Sequence, residues 1–189
     1  MAKDRQRREE WTRAATDYAL ENGLIGLSLR PLAAALGTSD RMLLYHFGTK
    51  DDLVAAVLRT SNDRATEYIR SLPPSPNLRR GVHELWAAMR SDEVDRPSRL
   101  YIEAAALGLL GREPYHSVIR EANTIWTASL VDHLVRSGVS RAAASRVVTI
   151  IDAAFMGFHL DLTTDLGDET VRRAVADLAD AVAAIAPAR

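Results

Sequence analysis

The sequence predicts an all-α protein of about nine helices. Apolar residues recur at helical spacing along most of the 189 residues, whereas the alternating pattern typical of strands is weak throughout. Glycine and proline residues interrupt the periodic segments at intervals that suit helices of ordinary length. Length and pattern together favour a small domain over residues 1–49, followed by a larger helical domain over residues 50–189.

The first helix is predicted over Arg5–Asn22, and Gly23 ends it. Its apolar stripe, which must pack against other helices, consists of Trp11, Ala14, Ala15 and Tyr18. The basic residues at its start suit either an arm along DNA phosphates or a solvated terminus. These residues are Arg5, Arg7 and Arg8.

The segment Ser28–Lys50 has the pattern of a helix-turn-helix. Ser28 is a natural N-cap for a helix with Pro31 in its first turn, where a missing amide costs little. Gly37 ends that helix, and a short turn leads into a second helix that reaches about Phe47. The turn, which also supplies the cap of the second helix, consists of Thr38, Ser39 and Asp40.

The second helix of this motif carries side chains suited to reading DNA. Leu43 and Phe47 are four residues apart and can dock inward, so the remaining face projects away from the domain. Arg41 can pair with a guanine edge, and Met42 can contact a thymine methyl group. The tyrosine and the histidine further along this helix can donate hydrogen bonds to phosphate oxygens. Taken alone, the spacing fits the solvated face of an ordinary small helix equally well.

With a helix before it and a longer helical body after it, this segment resembles the TetR family of transcriptional regulators. The resemblance is strong over about the first sixty residues and architectural beyond them. It implies that Tyr45, His46 and Phe47 close the recognition helix. It also implies that Lys50 caps the next helix while contacting phosphate. Family members often carry Leu-Tyr where this chain has Leu43–Leu44, so we assign the phosphate contact of that tyrosine to Tyr45.

The resemblance and the groove chemistry together give the candidate DNA-binding residues. They are Ser28, Thr38, Ser39, Asp40, Arg41, Met42, Leu44, Tyr45, His46 and Lys50. The distribution of charged residues along the chain supports this placement only modestly. The first 50 residues hold eight Lys or Arg against six Asp or Glu, whereas the remainder holds 16 against 19.

Six further helices are predicted after the helix-turn-helix. Their ranges are Lys50–Arg70, Leu78–Arg90, Arg96–Leu110, Pro114–Arg136, Ser140–Thr164 and Asp168–Ile185. The breaks between them fall at the Pro-rich segment Ser71–Asn77, at Asp95–Pro97, at Gly111–Pro114, and at Gly138 and Gly167.

The last two of these helices carry more apolar surface than one core can cover. The first is apolar on nearly every side, and the second adds an apolar stripe flanked by small alanines. A homodimer built as a four-helix bundle would bury both surfaces, as TetR proteins do; a larger monomeric core is the alternative. The candidate interface residues are Val147, Ile151, Val171, Val175, Leu178 and Val182.

The resemblance also implies an effector cavity among the fifth to eighth helices. Apolar and aromatic residues there, with a few polar groups, suit an apolar or aromatic small molecule of modest size. The same residues also suit an ordinary core. The candidates are Trp86, Met89, Tyr101, Asn123, Trp126, Phe155, Phe158 and His159, with Tyr101, Asn123 or His159 orienting the ligand.

Other chemistries find little support. The absence of cysteine excludes disulfides and thiolate metal sites. Glu113–His116 has the Glu-x-x-His spacing of di-iron bundles, but it contains Pro114 and has no second copy. No phosphate-binding glycine loop or nucleophile elbow occurs, so we expect neither an enzyme nor a cofactor.

The resemblance therefore implies a repressor that binds a palindromic operator in double-stranded DNA as a homodimer and leaves it when a small molecule binds. A ligand-independent helical DNA-binding or structural protein, and a helical-bundle metal enzyme, are the alternatives. Neither a signal-peptide pattern nor a run of apolar residues long enough to span a bilayer is evident, so we expect a cytoplasmic protein without a membrane partner.

Overall fold

The computed structural model describes residues 2–161 and 167–186, and the regular structure within these ranges is entirely helical. The predicted all-α class is therefore confirmed, and each predicted helix is present. In chain order the helices are α1 (Ala2–Asn22), α2 (Leu29–Ala35), α3 (Asp40–Phe47), α4 (Lys50–Ser71), α5 (Leu78–Met89), α6 (Asp92–Leu109), α7 (Tyr115–Arg136), α8 (Arg141–Asp161) and α9 (Asp168–Ile185). The predicted end of α8, residues 162–164, lies outside the described residues.

The predicted break at Asp95–Pro97 is wrong, because α6 begins at Asp92 and Pro97 lies inside it. A proline there removes one backbone hydrogen bond and strains the preceding turn. Val94 and Leu100, on either side of Pro97, are both buried. Their burial stabilises the helix through the proline, a tertiary effect that the local pattern does not contain.

The chain forms two compact units, and their boundaries fall inside helices α4, α6 and α7. Unit 1 comprises Met1–Ala65 and Asp95–Thr124; unit 2 comprises Thr66–Val94 and Ile125–Arg189. This division differs from the predicted domain boundary after residue 49, because part of α6 and α7 packs into the core of the N-terminal helices. The functional boundary after residue 49 stays a prediction.

The core of unit 1 joins the helix-turn-helix to α1 and α4 and to parts of α6 and α7. Gly37 has a φ of 64°, which lets the chain leave α2 and turn towards α3. The largest buried residues in this core are Leu24, Leu32, Leu43, Leu53 and Leu100.

The core of unit 2 is built mainly from α5, α8 and α9, which pack on one another, together with the end of α7. The Pro-rich loop before α5 is fastened to this core by Ser75, whose hydroxyl donates to Glu84 over 2.6 Å and lies 3.4 Å from Nε2 of His133. Burial lowers the pKa of His133. His133 is thus a buried histidine with a hydrogen-bonding partner.

Helix α8 is apolar beyond what unit 2 covers. Its segment Arg141–Leu160 is long and apolar enough to cross a membrane by length and composition, yet only 33% of its most apolar window is buried. One such helix is weak support for a membrane span, since the core helix of a soluble protein can have the same length and composition. The part of this apolar helix that is not buried is surface available to a second subunit.

Candidate functional site

Helix α3 presents a short, well-capped face to solvent. The hydroxyl of Ser39 accepts from the backbone N–H of Met42 over 3.3 Å, so Ser39 is the N-cap among the three turn residues to which the sequence assigned the cap. Leu43 and Phe47 are buried on the opposite side, so the predicted inward docking of these two residues is confirmed. Their burial fixes the direction in which the remaining side chains of α3 point.

The outward face of α3 carries three exposed apolar or aromatic side chains. Met42 is 41% exposed, Leu44 is 39% exposed and Tyr45 is 73% exposed. Asp40 and Arg41 complete this face, and both are exposed. Apolar groups clustered on one short exposed helix mark a surface that meets another molecule.

Two cations near this face have no acidic partner among the described residues. The backbone N–H of Arg41 donates to the Asp40 carboxylate over 3.0 Å, but no described acidic side chain pairs with the Arg41 guanidinium. Lys50 is exposed and likewise has no described ion-pair partner. Both side chains therefore remain available to an anionic ligand such as a nucleic acid.

His46 and Thr38 are less accessible than the sequence suggests. The imidazole of His46 lies edge-to-face against the ring of Trp11, with centroids 4.8 Å apart, and against Tyr45 at 5.1 Å. It is half-buried, as is Thr38. His46 thus holds α3 against α1 and orients Tyr45.

The observed hydrogen bonds correct the capping roles predicted at the starts of α2 and α4. Ser28 occupies the N-cap position of α2, but its side chain makes no capping hydrogen bond. At α4, Thr49 and Asp52 form a reciprocal capping box, in which the Thr49 hydroxyl donates to Asp52 over 2.6 Å and accepts from the Asp52 N–H over 3.0 Å. The capping role inferred for Lys50 is therefore wrong; it is the first residue of the helix.

The basic residues at the start of the chain belong to α1 and do not form a separate arm. The guanidinium of Arg7 lies 5.8 Å from the ring centroid of Trp11, and that of Arg8 lies 5.4 Å from the ring of Phe47. Arg5 pairs with Glu9 one turn later. Two of these arginines thus cover aromatic residues of the helix-turn-helix domain.

Glu103 of α6, which the sequence analysis missed, clamps the loop between α1 and α2. Its Oε2 accepts from the backbone N–H groups of Leu24 and Ile25 over 2.7 and 2.6 Å. Gly23, with a φ of 79°, would place a Cβ only 3.0 Å from the same carboxylate. Gly23 and the two N–H groups that donate to Glu103 together fix the backbone just before the helix-turn-helix. No local sequence signal reveals this pair, because its members are 79 residues apart.

We predict that Glu103→Ala lowers the free energy of unfolding by about 1–3 kcal/mol, because two N–H groups lose a charged acceptor. Glu103→Gln should lose less, since an amide oxygen still accepts. Chemical denaturation measures the stability, and amide hydrogen exchange should accelerate at Leu24 and Ile25. Glu21→Ala, at an exposed position of α1, serves as the control. Equal losses for Glu103→Ala and Glu21→Ala would contradict the clamp.

Six of the eight candidate effector residues lie in unit 2. Trp86, Met89, Phe155 and His159 are buried, whereas Trp126 and Phe158 are half-buried. The ring of Trp86 lies 5.2 Å from that of Phe155 and 5.9 Å from that of Phe158. These three rings form one aromatic cluster between α5 and α8. The remaining two candidates, Tyr101 and Asn123, belong to unit 1 and stay predictions.

Asp152 of α8 is a second functional candidate that the sequence analysis missed. Its carboxylate accepts from the indole N–H of Trp126 over 2.8 Å, and burial raises its pKa. The sequence alone shows an acidic residue inside an apolar helix. It does not show that this residue accepts a hydrogen bond from Trp126, which lies on another helix.

The candidate interface residues require a correction. Val147, Ile151, Val171, Val175 and Val182 are buried in the core of their own subunit, so they offer no surface to a second copy. Only Leu178 is partly exposed. The apolar residues that α8 and α9 do expose include Ile150, Ala153, Leu160, Ala181 and Ile185.

The Glu-x-x-His segment takes part in local packing. Glu113 accepts from the hydroxyl of Ser117 over 2.7 Å, and this hydrogen bond lowers the pKa of Glu113. Nδ1 of His116 lies 3.4 Å from the Gly108 carbonyl oxygen. Within the described part of the chain, no three His, Asp or Glu side chains are arranged to hold a metal ion.

The helix-turn-helix and its surroundings match a known family. The protein-family model described as "Bacterial regulatory proteins, tetR family" matches residues 12–57, from α1 through α3 into α4. The turn and the whole outward face of α3 lie within this match. The N-terminal part of this chain is therefore similar to the TetR family. The resemblance predicted from the sequence is thus confirmed.

Curated relatives described as HTH-type transcriptional regulators match this chain over part of its length. The HTH-type transcriptional repressor Rv3405c of Mycobacterium tuberculosis and the HTH-type transcriptional regulator Mb3439c of Mycobacterium bovis are each 36% identical to it over 69 residues. The match covers 36% of this chain and 37% of each relative. This chain therefore spans little more than a third of the curated relatives it matches.

Solved structures extend the likeness in fold over nearly the whole chain. A transcriptional regulator from Rhodococcus sp. Rha1 aligns with a TM-score of 0.73 at 22% identity, covering 96% of this chain and 98% of that one. The multidrug binding protein EbrR complexed with ethidium aligns with a TM-score of 0.60 at 26% identity, covering 91% and 98%. The TetR fold is thus shared beyond the helix-turn-helix.

Proposed function

We propose that this chain is a DNA-binding transcriptional regulator of the TetR family, and more specifically a repressor that occupies a palindromic operator as a homodimer and leaves it when a small molecule binds. The observation that carries the proposal is the outward face of α3, where Arg41, Met42 and Tyr45 are exposed above the buried Leu43 and Phe47. We place the DNA-binding domain at residues 1–49, the effector and dimerisation domain at residues 50–189, and the protein in the cytoplasm.

The exposed side chains divide between base reading and backbone contact. Arg41 is the candidate for a guanine edge, and Met42 is the candidate for a thymine methyl group, because both project from the first turn of the helix that enters the major groove. Tyr45 and Lys50 suit phosphate oxygens, which fix position without reading sequence. His46 supports Tyr45 through ring contact.

A second copy of this chain is the proposed occupant of the exposed apolar face of α8 and α9. Ile150 and Leu160 are 41% and 45% exposed and lie on one stripe of α8 with the small residues Ala153 and Gly157. Helix α9 packs against α8 and adds Ile185, which is also exposed. Small residues between larger ones permit close helix approach, so two such faces can form a four-helix interface.

Ligand response is supported by the aromatic cluster of unit 2 and by relatives of the same fold. EbrR is described as a multidrug binding protein and has been solved with proflavin and with ethidium. We therefore expect an apolar or aromatic effector that contacts Trp86, Trp126 or Phe158. Such a molecule releases DNA only if it binds the released conformation more tightly than the DNA-bound one. A repressor role agrees with the name of the M. tuberculosis relative.

Selection of binding sites from random double-stranded DNA tests this function. The dimer should enrich palindromes whose half-sites lie about one helical turn, roughly 34–36 Å, or a multiple of that apart. Light scattering on the same preparation should give the mass of two chains. Enrichment of no sequence would contradict specific DNA binding, and enrichment of single, unpaired half-sites would contradict the symmetric dimer.

A further inference from the structure

The outward face of α3 carries one acidic side chain, Asp40, in the first turn of the helix. Asp40 is exposed, and no basic side chain of the described residues forms an ion pair with it. Its Oδ1 accepts from the backbone N–H of Arg41 over 3.0 Å. A carboxylate without a cationic partner therefore lies on the first turn of the helix, the part that contacts base edges when a helix enters the major groove.

The start of α3 does not depend on this carboxylate for its cap. Ser39 is the N-cap, because its hydroxyl accepts from the backbone N–H of Met42. Asp40 adds only the favourable interaction with the helix dipole that any acidic residue of a first turn makes. A carboxylate that approaches DNA is repelled by the phosphates, since the charges have the same sign. Asp40 therefore weakens DNA binding unless a base supplies a hydrogen-bond donor to it.

The four bases differ in what they offer to a carboxylate in the major groove. Cytosine presents the N4 amino group, which is a donor. Adenine presents the N6 amino group beside N7, an acceptor that repels a carboxylate. Guanine presents two acceptors, O6 and N7, and thymine presents the acceptor O4 beside its methyl group. A carboxylate therefore favours cytosine, tolerates adenine less well, and disfavours guanine and thymine.

We propose that Asp40 determines specificity at one position of each operator half-site, where its carboxylate accepts a hydrogen bond from the N4 amino group of a cytosine. The hydrogen bond from the Arg41 N–H to Oδ1 orients the carboxylate. This inference rests on the proposed function, since it names one base of the operator. It also gives the protein a means of rejecting other sequences, because every other base places an acceptor near the carboxylate.

Selection of binding sites from random double-stranded DNA locates the position that Asp40 reads. The selection is run in parallel with the full-length parent chain, with Asp40→Asn and with Asp40→Ala. At one position where the parent selects cytosine, Asp40→Asn should select adenine, because an asparagine amide donates to N7 and accepts from N6 of adenine. Asp40→Ala should lose the preference at that position and keep the preferences at the others.

Fluorescence anisotropy then measures the discrimination. The parent should bind its selected operator about tenfold or more tightly than duplexes with thymine or guanine in place of that cytosine. Asp40→Ala should reduce this ratio to less than about twofold. It should also bind scrambled DNA more tightly than the parent does, because a charge that repels phosphates is gone. Weaker binding to the operator together with stronger binding to scrambled DNA separates base reading from damage to α3, since damage weakens both.

Asp51→Asn is the matched control, because Asp51 is an exposed acidic residue in the first turn of α4. It should leave the base preference unchanged at every position. Identical selected sequences for the parent, Asp40→Asn and Asp40→Ala would overturn the inference while leaving the DNA-binding function in place. The parent alone also decides, without any variant that must fold: if no cytosine of its half-site is preferred over thymine by more than about twofold, the inference is wrong. Enrichment of no sequence by the parent would instead contradict the DNA-binding function itself.

Discussion

Val175→Asp is expected to prevent stable folding, whereas Ile150→Asp is expected to give a folded monomer. Val175 is 1% exposed in the core of unit 2, where an unpaired carboxylate costs several kcal/mol, a large part of the roughly 5–15 kcal/mol that stabilises a domain. Ile150 is 41% exposed, so the same charge is solvated in a single subunit. In the proposed homodimer, a second copy that covers α8 would bury this position.

Circular dichroism and light scattering separate these outcomes. Val175→Asp should lose its cooperative thermal transition or aggregate, while Ile150→Asp should keep its helical signal and show half the parent mass. Ala106→Asp, at an exposed position of α6, controls for the helix propensity of aspartate and should cost less than about 1 kcal/mol. A dimeric, well-folded Ile150→Asp protein would place the interface away from this stripe.

Val175 and Ile150 also show which features of the interface the sequence can and cannot predict. The apolar stripe of α9 correctly predicted burial at Val175, but periodicity does not say which surface covers a residue. Here α5 and α8 of the same subunit cover it. The exposed residues Ile150 and Leu160 are left for a partner, and neither was among the predicted interface residues.

The helix-turn-helix was predictable because its signals are local. A cap at Ser39, a left-handed glycine at position 37 and an apolar pair four residues apart all act within one or two turns of α3. Glu103 and Asp152 were not found for the opposite reason. Their partners lie 79 and 26 residues away, and only the tertiary fold brings them together. Pro97 likewise lies within α6 because of tertiary burial.

Arg41→Ala and Lys50→Ala are expected to weaken DNA binding in different ways. A guanidinium that reads a base edge contributes only at the correct sequence, so Arg41→Ala should cost about 1–3 kcal/mol on the selected operator and relax the preference at one position of each half-site. An ammonium on phosphate contributes at every sequence. Lys50→Ala should therefore weaken specific and random DNA alike and reduce the salt slope by about one unit.

Fluorescence anisotropy on the selected operator and on a scrambled duplex, each at several salt concentrations, measures both effects. Arg172→Ala, an exposed arginine of α9 that pairs with Glu169, removes a charge outside the helix-turn-helix and should change neither affinity. Equal losses on operator and scrambled DNA for Arg41→Ala would remove that residue from base reading. Base reading would then fall to Met42 and Asp40, the other exposed side chains in the first turn of α3, because the groove-entering helix contacts base edges through its N-terminal residues.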